Sequence, residues 1–215
     1  FRDTEFMKLS SRIILGLSAA LLLSATPSAA ATLGFGCISN NSPANCTIAE
    51  AQLAVDVTDA GGGQVLFTFT NLGPAASSIT DVYFDDGSLL AIALVNNVPG
   101  VDFSQLAAPS NLPAANNASP PFETTAGFSA DSNPPTQPNG VNPGETLSIQ
   151  FTLQGIQTYS DVLAELSDGR LRIGIHVQGF ADGGSESLVN VPEPASIALL
   201  GLGLAALGFA RRKRI

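Results

Sequence analysis

The stretch that most constrains this chain lies at its C-terminal end. From Ala195 to Ala210 there is no charge and only one hydroxyl, Ser196. Leu199, Leu200, Leu202, Leu204, Leu207 and Phe209 make the run apolar on every side, whereas a helix in water keeps a polar face. As a helix at about 1.5 Å per residue the run would extend about 24 Å, short of the roughly 30 Å hydrocarbon core of a bilayer. Snorkelling of flanking cations and local thinning make up such a difference. Arg211, Arg212, Lys213 and Arg214 follow and are expected to stay on the cytoplasmic side, with everything upstream on the far side. Pro192 and Pro194 precede the run, and each breaks helix continuity by lacking an amide donor. A buried core helix is the rival reading. The four consecutive cations argue against it, as do Gly201, Gly203 and Gly208.

The other end carries an export pattern. Met7 is followed by Lys8, Arg12, an apolar run from Ile13 to Ala25 and the small residues Ser28-Ala29-Ala30-Ala31. Residues 7–31 therefore read as a secretory signal peptide, with signal peptidase expected to cut after Ala30 or Ala31. Residues 1–6 read as an upstream extension that is not native.

Val191-Pro192-Glu193-Pro194-Ala195-Ser196, the Leu/Gly/Ala run and the basic stop stand in fixed order over residues 191–215. That order resembles the PEP-CTERM sorting signal of bacterial surface proteins. The resemblance implies recognition at Pro192-Glu193-Pro194 by an exosortase, a membrane transpeptidase-like enzyme. It also implies removal or exchange of the apolar segment, in a Gram-negative-type host that makes an extracellular polysaccharide matrix. Stretches within 64–95 and 171–178 are similar to phrases of other exosortase-substrate ectodomains, which implies a shared fold and no particular activity.

Residues 32–190 are enough for one domain with a real core. Between Thr32 and Asn190 the only cations are Arg170 and Arg172, against fifteen acids. Nucleic acid and anionic lipid surfaces both demand cations, so such a domain is a poor partner for either. Cys37 and Cys46 are the only cysteines, and in an exported chain an isolated pair reads as a disulfide. No histidine lies near enough to suggest a metal site there.

Period-two alternation dominates the domain. It runs through Ala51–Thr58, Gln64–Thr70, Leu147–Leu153 and Leu171–Val177. Gly61-Gly62-Gly63 supplies a turn, and Asp85-Asp86-Gly87-Ser88 predicts a hairpin joining Ile79–Phe84 to Ser88–Val95. One short helix is expected at Ser160–Ser167, capped by Thr158 or Ser160 and ended by Asp168-Gly169. Alternation of this kind predicts an all-β fold, an antiparallel β-sandwich with one short helix. Residues 108–144 hold eight of the fourteen prolines and predict a long irregular surface loop, with pinning of its middle to the domain by Phe122 and Phe128 as the rival reading.

Chemistry is sparse. His176, the only histidine, is expected on the face opposite Ile173, Ile175 and Val177, as a solvated strand residue. No nucleophile elbow, phosphate loop, dinucleotide fingerprint or zinc spacing accompanies it. The better metal candidates are acids on turns, with Asp85, Asp86, Asp182 and Glu186 as the candidate calcium set, since calcium takes six to eight oxygen ligands. No other cofactor is expected. Extracellular polysaccharide is a fitting ligand for a matrix protein, yet the chain has no Trp and only Tyr83 and Tyr159 for ring stacking. The functional expectation is a secreted, non-catalytic surface or matrix protein. Its rivals are a calcium-dependent adhesin and a polysaccharide hydrolase working through an acidic pair.

Overall fold

The computed structural model describes residues 30–86 and 90–191. Most of the predicted signal peptide, Gly87-Ser88, the Pro192-Glu193-Pro194 motif, the apolar run at 195–210 and Arg211–Arg214 lie outside the described residues. Among the described residues no helix is long and apolar enough to cross a membrane.

Among the described residues ten strands form one continuous antiparallel sheet. They are β1 (Ala31–Cys37), β2 (Leu53–Gly61), β3 (Gln64–Asn71), β4 (Ser78–Asp86), β5 (Leu90–Asn96), β6 (Phe103–Gln105), β7 (Ser129–Ser132), β8 (Thr146–Leu153), β9 (Leu171–Gln178) and β10 (Glu186–Asn190). The sheet order is β5-β8-β3-β2-β1-β10-β9-β4-β7-β6. The predicted sandwich is thus a single sheet curled until its two halves face each other. Strand β1 joins the halves, pairing with β2 through residues 31–34 and with β10 through residues 35–37. The curl nearly closes into a barrel. Asn97, just past β5, donates from Nδ2 to the Phe103 carbonyl at 3.0 Å and accepts from the Phe103 amide at 2.9 Å, tying the two outermost strands together.

The alternating segments became strands because one face of each fills the interior. Val55, Val57, Val65, Phe67, Phe69, Leu147, Ile149, Phe151, Ile173, Ile175 and Val177 are all buried in one core. Phe84 from the facing half packs on both Phe67 and Phe151, with ring centroids 5.1 and 4.7 Å away in edge-to-face geometry, while those two rings meet each other at 5.7 Å. Such pairs contribute about 0.5–1.5 kcal/mol beyond area burial.

Two expectations need correction. The hairpin at Asp85-Asp86-Gly87-Ser88 does not form: β4 pairs with β9 and β7, whereas β5 pairs with β8 in the other half. Strands β4 and β5 thus lie in different halves of the sheet. There is also more helix than the single one expected. Alongside α3 (Tyr159–Asp168) stand α1 (Pro43–Gln52) and the single-turn α2 (Thr136–Asn139). Helix α1 starts where the Ser42 side chain accepts from the Asn45 amide and Pro43 occupies the first turn, where its missing amide costs nothing. Helix α3 has the expected ends. The Asp161 carboxylate accepts from the Thr158 amide and hydroxyl, both at 2.7 Å, and Gly169 closes the helix at φ 76°.

The proline-rich segment is not wholly irregular, since it contains a 3-10 turn at Ala115–Asn117, α2 and β7. It lies against the outer face of the β4/β9 half. Leu112, Ala115 and Phe122 bury Tyr83 there in a second small core, and Phe128 packs on Phe151 at 5.4 Å. Gly174 makes this possible: a Cβ on it would stand 2.8 Å from Leu112 and 3.1 Å from Phe122. Arg172 adds a clamp, donating to the Pro120 and Pro121 carbonyls at 2.6 Å each and pairing with Asp85. Gly174→Val is expected to lift the loop and lower stability by about 1–3 kcal/mol, the usual cost of overpacking, read as a lower urea midpoint.

Candidate functional site

The place where chemistry is written most plainly is the end of β10. This strand is central, antiparallel to β1 on one edge (Phe35↔Asn190) and to β9 on the other (Val189↔Gly174). Its last residue, Asn190, is buried, and its Oδ1 accepts from the Ile173 amide at 2.7 Å. A side chain thereby satisfies a β9 amide at the point where β10 runs out. Val191 continues the ladder by one bond, from its amide to the Gly34 carbonyl at 3.0 Å. Because Phe35 stands opposite Asn190 in an antiparallel pair, the start of β1 and the end of β10 leave the domain at the same end. Beside the exit lies a groove of about 530 Å³ whose lining includes Gly36, Ile38, Asn117, Pro120, Arg172 and Val191.

Residues 190–214 match the family model of the PEP-CTERM protein-sorting motif. The chain carries a PEP-CTERM sorting motif. It begins on the last residue of a central strand, so the PEP-CTERM tail and the folded domain share Asn190. No curated protein and no solved structure matches the chain. Of the motif residues named from sequence, Val191 is half-exposed at the exit, while Pro192, Glu193, Pro194 and the basic stop Arg211-Arg212-Lys213-Arg214 fall outside the described residues.

The opposite end of β10 is organised by the other sequence-named residues. Cys37 and Cys46 form the expected disulfide, linking β1 to α1. Glu186, 1% exposed, lies against it. Its carboxylate accepts from the Ser39 hydroxyl, from the Asn41 amide at 3.0 Å and from the Ser42 amide at 2.6 Å. The Glu186 carboxylate thus holds the 39–42 turn and the start of α1, a favourable place for negative charge. The candidate calcium set does not converge. Asp85 stands opposite Arg172 at the start of β9, and Glu186 opposite Val177 near its end. Asp85 pairs with Arg172, Asp86 is buried, and Asp182 is exposed in the β9–β10 turn. Among the described residues the one grouping of metal-type ligands is Cys37, Cys46 and Glu186, whose sulfurs are joined to each other.

His176 lies on the expected face but is not solvated, with its side chain only 13% exposed. Its Nδ1 stands 3.1 Å from the Asp81 Oδ2. Thr80 donates to the same oxygen at 2.8 Å, and the Tyr83 hydroxyl reaches the other at 3.4 Å. Asp131, the cross-strand neighbour of Asp81, completes the cluster. Its carboxyl is pushed up, first by burial and then by the Asp81 charge, against the opposing pull of the Ala108 and Ser132 amides. The Tyr83 hydroxyl is raised mainly by burial and next by Asp81. Asp81 and His176 are 95 residues apart, so only the β4–β9 register could have revealed their contact.

Two outcomes follow from these environments. Glu186→Gln turns an amide donor toward amides that already donate, and is expected to cost about 1.5–3 kcal/mol in chemical unfolding. For Asp131 the folded protein favours the protonated acid. That contribution is whole below the ordinary carboxylate range and is lost as pH rises through the raised value. Asp131→Asn is therefore expected to raise the urea midpoint at pH 7 while leaving it nearly unchanged at pH 3.

Proposed function

We propose that this is an exported, non-catalytic protein of the cell surface or extracellular matrix, delivered by an exosortase acting on its C-terminal tail. The observation that carries the reading is the PEP-CTERM motif at residues 190–214. The basic stop would hold the tail's end in the cytoplasm and the apolar run 195–210 would cross the bilayer until the enzyme acts. Signal peptidase would release the other end, where the expected cut after Ala30 or Ala31 falls at the first residue of β1.

Other features suit that life. The Cys37–Cys46 disulfide belongs to an oxidising compartment, and strong acidity keeps a secreted domain soluble and apart from anionic lipid. The nearly closed sheet exposes few free strand edges, which suits a protein working at high local density. A matrix polysaccharide is the natural neighbour of such a domain.

The test compares the native chain with one in which Pro192, Glu193 and Pro194 are all replaced by Ala, in the exosortase-bearing host. The native chain is expected at the surface or in the matrix with an intact mass lacking the apolar tail. The variant is expected to remain in the membrane fraction at the mass of the tailed form. Equal location and equal mass for both would contradict the reading.

A further inference from the structure

We propose that the folded domain gates its own sorting, with Asn190 as the residue that positions the gate. The inference rests on the tail being an exosortase substrate and concerns how much of that substrate the enzyme can grip.

The sheet holds the chain up to the residue before the proline. Ser187, Leu188 and Val189 are each paired with residues of β9, and Leu188 and Val189 are also paired with β1. Asn190 is 6% exposed and bonded through its side chain to the Ile173 amide. The Val191 amide bonds to Gly34, and the Val191 side chain comes within 3.0 Å of where a Cβ of Gly36 would lie. The next residue is Pro192, so no spacer separates the last ladder bond from the motif.

Enzymes that grip extended peptides do so through main-chain hydrogen bonds and alternate side chains. A strand paired on both edges offers neither. An enzyme approaching this tail is therefore limited, while the sheet is closed, to residues beyond Val191. It gains anything further only when the end of β10 opens, and such local opening has its own free-energy cost. The Asn190–Ile173 bond is the side-chain latch on that opening, just behind the final ladder bond from Val191 to Gly34. Two consequences follow. The processed protein keeps β10 and Val191, because a cut before Asn190 would need a core strand withdrawn. Conversion is also slower than the motif alone would allow.

The experiment follows conversion of the full chain by pulse-chase in the exosortase-bearing host, for three forms. They are the native chain, a chain with six Gly/Ser residues inserted between Val191 and Pro192, and Asn190→Ala. The spacer leaves every bond of β10 in place, so its effect does not depend on fold damage. It is expected to convert several-fold faster than the native chain. Asn190→Ala is expected to be faster by roughly fivefold, the change in an opening equilibrium when one ordinary hydrogen bond is lost. A spacer form converting at or below the native rate overturns the gate. A faster spacer form beside an unchanged Asn190→Ala overturns the role of Asn190. A product whose mass places its C-terminus before Asn190 overturns both. No conversion of any form overturns the sorting reading itself, an outcome the other results do not mimic.

Discussion

Strand β1 hydrogen-bonds to β2 along one edge and to β10 along the other, and the rest of the molecule depends on that double pairing. It converts what would be two stacked sheets into one curled sheet, and so brings Phe84 of one half against Phe67 and Phe151 of the other. It also places the start of β1 and the end of β10, where the sorting motif begins, on neighbouring strands at one end of the domain. Glycine takes part in this strand: Gly36 leaves room for Val191 where the two strands separate. A disulfide and a buried carboxylate then fix the far end of the same pair, through Cys37, Cys46 and Glu186.

The second layer of organisation is on the outside of the β4/β9 half. Strand β4 is buried on both faces, because the proline-rich segment covers the face that the core does not. That covering explains why polar residues such as Asp81, Asp131, Tyr83 and His176 sit in a partly dry cluster with shared hydrogen bonds. Burial of such groups is tolerated when they satisfy one another. The Arg172 guanidinium serves the same cover from the edge, with its carbon centre 5.3 Å from the Phe122 ring.

How much of this was legible in the sequence depended on whether burial was one-sided. Strands β2, β3, β8 and β9 were readable because a core on one face and polar residues on the other write a period of two. Pairing partners were not readable for β4, since a strand buried on both faces lacks that contrast, and the Asp-Asp-Gly-Ser turn signal is local. Helix α1 was hidden because its sequence, Pro-Ala-Asn-Cys-Thr-Ile-Ala-Glu-Ala-Gln, carries little apolar periodicity; its Ser-Pro start was the available clue. Phe122 and Phe128 were the available clue that the proline-rich segment is pinned, against the plain surface loop its composition favours, and the polar residues around them concealed the turn and strand it contains. Glu186 was misleading in another way: an Asp-Gly-Gly-Ser-Glu stretch looks like a cation loop, yet its last carboxylate is taken up by backbone amides of the 39–42 turn. The sorting motif needed no fold to be seen, but only the fold shows that it starts on a central strand.

That junction is what the account stands or falls on, and amide hydrogen exchange on the full-length chain reads it directly. The amides of Leu188, Val189 and Val191 are expected to exchange as slowly as those of Ile173 and Ile175 on the neighbouring strand. Exchange at Val189 and Val191 as fast as in a free peptide would contradict it, because the sheet would then end well before the motif begins.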